Sequence, residues 1–227
     1  KKDYELAHIP CSIFTNFYLD GWRETRKKMP LLMPSKSTLE ALIGSLGISN
    51  SDYVIIVAPG LGKYDMSEAA SIYFTFKYLG HKNISILNGG LKSWKEDWDN
   101  DIETGYSVPQ ENAYKSEINN NIIANKEDIL EVISKKGYLI DARSSAMYMG
   151  INSSFPSLRS GTIPNSINIP NDWLLINDSL FFQKKVDLEK IFIHSGISKK
   201  DGQISFCNAG LESALSWFVM SEILKFP

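Results

Sequence analysis

The stretch that decides the fold is Ile204-Ser205-Phe206-Cys207-Asn208-Ala209-Gly210-Leu211-Glu212-Ser213. A short apolar run, a loop of small residues and an amphipathic segment follow one another here, which predicts a strand, a turn and a helix. The thiol of Cys207 then lies at a helix N-terminus, where unpaired N–H groups and the helix dipole favour thiolate over thiol. Cys207 is therefore a candidate nucleophile. The alternative is a structural cysteine, because free cysteine is among the most buried residue types.

The rest of the chain alternates strand-like and helix-like segments, which predicts βα units around a mainly parallel sheet and so an α/β fold. Ser37 and Glu40 match a capping box, and Asn125 is a predicted N-cap. The continuous apolar run 53–57 is typical of a strand buried on both faces. We predict strands over 53–57, 84–87, 138–140 and 204–206, and helices over 37–46, 67–79, 91–98, 125–133 and 187–194.

Apolar residues become sparse between 99 and 121, where Gly, Pro, Asn and Glu dominate, as in linkers and surface loops. We therefore place one domain at 1–106, a linker at 107–121 and a second domain at 122–227. The two halves also resemble each other. Residues 8–14 match 162–168, and residues 55–62 match 204–212, which predicts duplicated domains. Only the second copy has a cysteine in its loop, so the first copy is structural or helps to wall a site at the interface.

Composition excludes several classes of protein. The 227 residues include 24 basic and 26 acidic side chains, a net charge of -2, which gives no electrostatic reason to expect a nucleic-acid partner. The two cysteines, Cys11 and Cys207, are too few for a disulfide scaffold or a zinc site. No apolar stretch approaches the length of a membrane span. A reducing, cytoplasmic compartment is the default expectation, although a chain without an initiator Met can lack a targeting segment.

Several motifs occur together in an order that is typical of one family. They are residues 8–10, 79–84, 87–91 with Trp94, 140–144, 159–170 and the Cys207 loop. On these motifs the chain resembles tandem rhodanese-type sulfurtransferases and is most similar to the 3-mercaptopyruvate and thiosulfate sulfurtransferases. The resemblance covers nearly the whole chain and implies two similar rhodanese-like domains, each a mainly parallel sheet flanked by helices. The family's first strand and last segment have no counterpart, so we expect a fragment truncated at both ends.

The resemblance implies a sulfurtransferase that moves a sulfane sulfur from a small donor through a persulfide on Cys207 to a thiol or cyanide acceptor. The inward N–H groups of Asn208, Ala209, Gly210, Leu211, Glu212 and Ser213 would stabilise the thiolate and persulfide charge. Arg143 and Arg159 are candidate substrate-binding residues, although arginines in such segments more often form structural ion pairs with residues such as Asp141. The resemblance implies neither a metal nor an organic cofactor, and the oligomeric state stays open.

The cysteine loop departs from both branches of the family. Ala209 stands where the mercaptopyruvate branch has a serine thought to assist proton transfer. Asn208 and Ala209 stand where the thiosulfate branch has basic residues that receive an anionic donor. Glu212 replaces a small hydroxyl residue, and its carboxylate either faces the loop and disfavours thiolate or points outward as a first-turn Glu favoured by the helix dipole.

The expected donor pocket is altered as well. By our alignment, two substrate-carboxylate arginines of the family fall on Met147 and Phe155, and an acidic residue of the first domain falls on Asn16. Because these charges are lost, a catalytically weak rhodanese-like binding or regulatory module is the alternative to the enzyme. A cysteine phosphatase, the third class, needs C-x5-R, and the arginine position is Ser213 here, which argues strongly against it.

Overall fold

The structure of the protein is a computed structural model, and it describes residues 1–62, 64–97, 99–154, 159–177, 179–199 and 202–226. The contacts between residues divide the chain into two compact units, Lys1–Asn119 and Asn120–Pro227. Each unit is described by itself.

The first unit contains a parallel pair of strands, β3 and β4, in which Val54 lies opposite Ile84 and Ile56 opposite Ile86. The antiparallel hairpin β1–β2 precedes this pair along the chain. The large side chains of the core include Trp22, Leu39 and Phe76, each at most 1% exposed. The elements are α1 (Lys2–Leu6), β1 (Glu24–Arg26), β2 (Met29–Leu32), α2 (Lys36–Ser45), β3 (Val54–Ile56), α3 (Asp65–Tyr78), β4 (Ile84–Ile86) and α4 (Gly90–Glu96).

The second unit is built on a three-stranded parallel sheet in the order β6-β5-β7. The central strand β5 is the most buried of the three, and Leu139, Ile140 and Asp141 at its end are almost inaccessible to solvent. The elements are α5 (Lys126–Ser134), β5 (Tyr138–Asp141), α6 (Ser145–Tyr148), β6 (Ile167–Asn168), α7 (Lys185–His194), β7 (Gln203–Phe206) and α8 (Leu211–Phe218), with 3-10 turns at Asn120–Ile122 and Asn171–Leu174 and a π-helical turn at Val219–Ile223.

The structure confirms the predicted strands and helices, with bounds that differ by one or two residues. Asn125 caps α5 through a reciprocal capping box with Asp128. The last residue of the helix predicted over 91–98 lies outside the described residues. The mainly parallel α/β architecture is therefore as expected.

Two details of the prediction are wrong. The capping box at Ser37 does not form, because α2 begins one residue earlier and Ser35 caps it, accepting the N–H of Thr38. The strand β3 is not buried on both faces, since Ile55 is 57% exposed. Successive side chains of a strand point to opposite faces, so Ile55 lies on the face opposite Ile56, and only the Ile56 face is buried.

Most of the segment predicted as a linker, 107–121, lies within the first unit and packs against its helices. Tyr114 is buried, and its hydroxyl lies 3.3 Å from Nδ1 of His81. The N–H and hydroxyl of Ser116 both donate to the carboxylate of Glu40 on α2, at 2.6 and 2.9 Å. The domain limits at 106 and 122 stay a prediction, and these contacts place residues 114–116 against α2 and the end of α3.

Candidate active site

The cysteine loop joins the carboxyl end of β7 to the start of α8, as the sequence pattern predicts. The N–H of Gly210 donates to Sγ of Cys207 at 3.0 Å, and Ser213 Oγ lies 3.5 Å from the same sulfur. Cys207 itself is half-buried. The sulfur therefore lies within a polar turn at the mouth of a helix and is partly open to solvent.

Gly210 shapes this loop. Its φ is +82°, in the left-handed region, where side chains with a Cβ are strained. An added Cβ would meet no atom within 4 Å, so the requirement for glycine is conformational and not steric crowding. In this backbone conformation the Gly210 N–H points back toward the sulfur.

A buried ion pair lies beside the loop. Nε and Nη2 of Arg143 donate to the two carboxylate oxygens of Asp141 at 2.9 and 2.6 Å. The side chain of Asp141 is fully buried and that of Arg143 is 8% exposed. Acceptance of these hydrogen bonds by the carboxylate of Asp141 raises the pKa of the Arg143 guanidinium above its ordinary value. Thr162 Oγ1 donates to the same carboxylate at 2.6 Å.

The guanidinium of Arg143 also contacts the cysteine loop. Nη1 donates to Oδ1 of Asn208 at 3.1 Å, and Nη2 donates to the carbonyl of Gly161 at 2.9 Å. The amide nitrogen of Asn208 in turn donates to Ser154 Oγ at 2.9 Å. All three nitrogens of the guanidinium are thus engaged within the unit, and the residue after Cys207 is tied to the ion pair.

The other predicted site residues are placed as follows. Ala209, Leu211 and Glu212 are half-buried in the loop and the first turn of α8. Glu212 acts electrostatically on Arg143, together with Cys207. Arg159 is exposed, two residues before Gly161. The structure therefore brings Arg143 to the loop through Asn208.

Of the two positions where the family's substrate-carboxylate arginines fall, the structure describes one, Met147. Sδ of Met147 lies 3.7 Å from the amide nitrogen of Asn208, so a thioether contacts the loop where the family has an arginine. Phe155, the other such position, lies outside the described residues. The hydroxyls of Ser154 and Thr162 complete this network and are not predicted from the sequence. Thr162 falls within a motif that was recognised, whereas nothing in the sequence marks Ser154.

The corresponding loop of the first unit holds a carboxylate. Oδ2 of Asp65, the first residue of α3, accepts the N–H groups of Gly60, Leu61 and Gly62 at 2.9, 2.7 and 3.0 Å. Both loops therefore follow a strand of a parallel pair and precede a helix. Three backbone N–H groups point to an acceptor of the same loop in the first unit, and one does so in the second.

The described residues also bear on metal binding and on membrane insertion. No group of three or more His, Cys, Asp and Glu side chains within them is arranged to hold a metal ion. No helix among them has the length and apolarity needed to cross a bilayer.

The chain is similar to known proteins over most of its length. Residues 1–97 match the model of the rhodanese-like domain. The sulfur carrier protein TtuD of Thermus thermophilus is 30% identical over 238 residues, which cover 99% of this chain and 79% of that protein. Thiosulfate sulfurtransferase of Rattus norvegicus is 27% identical over 215 residues, 93% of this chain and 70% of that protein.

A solved structure shares the fold over almost the whole chain. This structure is SseA from Escherichia coli, a 3-mercaptopyruvate sulfotransferase with the rhodanese fold. It superposes on the chain with a TM-score of 0.84 at 23% identity. The match covers 99% of this chain and 81% of SseA. The chain belongs to the rhodanese-type sulfurtransferase family.

Proposed function

We propose that the protein transfers a sulfane sulfur from a small donor, 3-mercaptopyruvate or thiosulfate, through a persulfide on Cys207 to a thiol or to cyanide. The observation that carries the proposal is the 3.0 Å hydrogen bond from the Gly210 N–H to Sγ of Cys207. A donor fixed in this position stabilises negative charge on sulfur without any cost of reorientation during the reaction. The names of the relatives support sulfur transfer, and thiosulfate is the donor that the rat enzyme's name gives.

In the first half-reaction, the thiolate of Cys207 attacks the outer sulfur of the donor. A sulfur–sulfur bond forms to Cys207, and the donor's bond to that sulfur breaks. The electron pair of the broken bond leaves with the donor, as sulfite from thiosulfate or as the enolate of pyruvate from 3-mercaptopyruvate, which then takes up a proton. The enzyme holds a cysteine persulfide at the end of this step.

In the second half-reaction, a thiolate or cyanide attacks the outer sulfur of the persulfide. The sulfur–sulfur bond to Cys207 breaks, its electron pair returns to Cys207, and the thiolate is restored. The loop N–H groups serve both steps, because each step places negative charge on the sulfur of Cys207 or on the outer sulfur bonded to it. Neither step requires a metal or an organic cofactor. A cytoplasmic location stays a prediction.

The test is turnover with and without the thiol of Cys207. Purified protein is incubated separately with 3-mercaptopyruvate and thiosulfate, and its intact mass is measured before any acceptor is present. Cyanide is then added, and thiocyanate is measured. We expect thiocyanate and a mass gain of one sulfur atom on Cys207 from the wild type and from Cys11→Ser, which removes the other, exposed cysteine. Both signals are expected to disappear in Cys207→Ser.

The donor that supports turnover identifies the branch of the family. Absence of any Cys207 persulfide with every donor would contradict the proposal. It would favour a rhodanese-like binding or regulatory module, whose partner binding survives Cys207→Ser.

A further inference from the structure

We propose that the side-chain hydroxyl of Ser213 is a catalytic group that stabilises the Cys207 thiolate during sulfur transfer, an inference that rests on the proposed function. Ser213 lies in the first turn of α8, and its Oγ is 3.5 Å from Sγ of Cys207. The sequence predicts only a backbone role for this residue. The hydroxyl is the one side-chain group that the structure places within hydrogen-bond distance of the sulfur among the residues it describes.

A hydrogen bond from β7, the strand just before Cys207, fixes the backbone of Ser213. Ser205 Oγ on β7 donates to the carbonyl of Ser213 at 2.9 Å, across the loop. The two ends of the loop are thereby joined, which fixes the backbone from which the Ser213 hydroxyl reaches the sulfur. Because the backbone is already fixed, the hydroxyl loses less conformational entropy when the transition state forms.

A hydroxyl suits both protonation states of the cysteine because it donates and accepts. It accepts the S–H of the neutral thiol and donates its own O–H to the thiolate. The second residue after Cys207 is Ala209, which has no hydroxyl. The hydroxyl that the loop lacks is therefore supplied by Ser213 on the helix. Among the residues that the structure describes, the charged groups at the loop are Arg143 with its partner Asp141 and, on α8 itself, Glu212.

The hydroxyl keeps its proton throughout the reaction. It donates to the thiolate before attack and to the sulfur of Cys207 again when that sulfur becomes the leaving atom in the second half-reaction. No bond to Ser213 forms or breaks, so the electron and proton balance of both half-reactions is unchanged. The effect is stabilisation of charge on sulfur, in addition to the N–H of Gly210.

The experiment compares Ser213→Ala with the wild type and with Ser216→Ala. Ser216 lies on the same helix, is fully buried, and its Oγ has no hydrogen-bond partner among the described residues, so it is a matched control. Alkylation of Cys207 by iodoacetamide is followed from pH 5 to 10 by peptide mass, which separates Cys207 from Cys11. Turnover with the better donor is measured in the same proteins.

In Ser213→Ala we expect the alkylation midpoint to move to higher pH and turnover to fall by about tenfold or more, as for loss of a hydrogen bond to a charged group. Ser216→Ala should match the wild type in both measurements. A second pair, Ser213→Thr and Ser213→Val, differs in the hydroxyl alone, and the Thr variant should stay closer to the wild type.

A Ser213→Ala protein that keeps the wild-type midpoint would overturn the inference, as would equal behaviour of the Thr and Val variants. The alkylation measurement needs no sulfur donor. It therefore tests Ser213 even if no donor yields a persulfide, a result that would overturn the proposed function itself.

Discussion

The loops after β3 and after β7 have the same framework and hold different acceptors. In the first unit, three successive N–H groups converge on the carboxylate of Asp65. In the second, the N–H of Gly210 donates to the sulfur of Cys207. The strand, turn and helix thus provide backbone N–H donors in both units, and the side chain that occupies the turn decides whether the acceptor is a carboxylate or a cysteine sulfur.

The two loops also differ in how they are held. The loop of the first unit is closed by its own residue Asp65, only a few positions along the chain. The loop of the second unit is tied through Asn208 to the buried pair of Arg143 and Asp141, 65 residues earlier. Removing the group that holds the loop should therefore lower the free energy of unfolding by different amounts in the two units, and it should affect different residues.

The largest effect is expected from Arg143→Met in the second unit. This change leaves the buried carboxylate of Asp141 without its cation, which costs about 3–5 kcal/mol. Hydrogen exchange should rise throughout 120–227 and stay unchanged in 1–119. Lys190→Met removes the exposed pair with Asp187 and should cost less than about 1 kcal/mol. Equal losses of unfolding free energy in the two variants would contradict the buried tie.

A smaller effect is expected from Asp65→Ala in the first unit. The three N–H groups lose a charged acceptor, although the exposed ones, such as that of Leu61, regain water, so we expect a loss of about 2 kcal/mol. The amides of residues 60–62 should exchange faster. Asp65→Asn keeps an acceptor oxygen and should lose less stability. If the Asn variant is as unstable as the Ala variant, the hydrogen bonds do not account for the loss.

A matched pair of glycines separates loop shape from chemistry. Gly60 and Gly210 both have positive φ, at +85° and +82°. Alanine should cost about 1–2 kcal/mol at either position, because both adopt the left-handed conformation. Only Gly210→Ala should also slow the alkylation of Cys207, since only this glycine donates to the sulfur. Slower alkylation in Gly60→Ala as well would show that the effect is not specific to the cysteine loop.

The smallest effect concerns acid sensitivity of the first unit. The N–H and hydroxyl of Ser116 donate to Glu40 and lower the pKa of its carboxyl. Because the pKa is lower in the folded state, the contribution of Glu40 to stability is complete above its unfolded pKa and is lost as the pH falls through the folded value. The wild type should therefore exceed Glu40→Gln in unfolding free energy at pH 7, and the difference should shrink below about pH 4.5.

The control for Glu40 is Ser116→Ala, which removes the hydroxyl donor and keeps the N–H. Its difference from the wild type should follow the same pH dependence with a smaller size. A difference between wild type and Glu40→Gln that is constant from pH 7 to pH 3 would contradict the role of these hydrogen bonds.

The sequence predicts local structure well because local signals are encoded within a few residues. The cap at Asn125 and the passage from β7 through Cys207 into α8 are examples. The N-cap of α2 is misplaced because Ser35 and Ser37 are both good caps, and Glu40 accepts hydrogen bonds from the distant Ser116 and not from the N-cap backbone. The hairpin β1–β2 was not predicted, because its residues 24–32 are largely polar and contain Pro30.

In the candidate site, too, the local features can be predicted from the sequence and the long-range contacts cannot. Cys207 and its loop are visible as a contiguous motif. The contacts of Asn208 with Arg143 and Ser154 join residues 65 and 54 positions apart, and such contacts depend on how the strands are arranged in the sheet. The Asp65 carboxylate was missed for a different reason: an acidic residue in the first turn of a helix is common, and its reach back to three loop N–H groups is a property of the folded turn.

The three hydrogen bonds of Asp65 also bear on competition among anions. A carboxylate tethered a few residues from its donors acts as an intramolecular ligand, with an effective concentration that a free anion at low concentration cannot match. Sulfite, sulfate or thiosulfate from solution would have to displace this tethered group before reaching the N–H groups of residues 60–62. The first loop is thereby saturated by the chain itself.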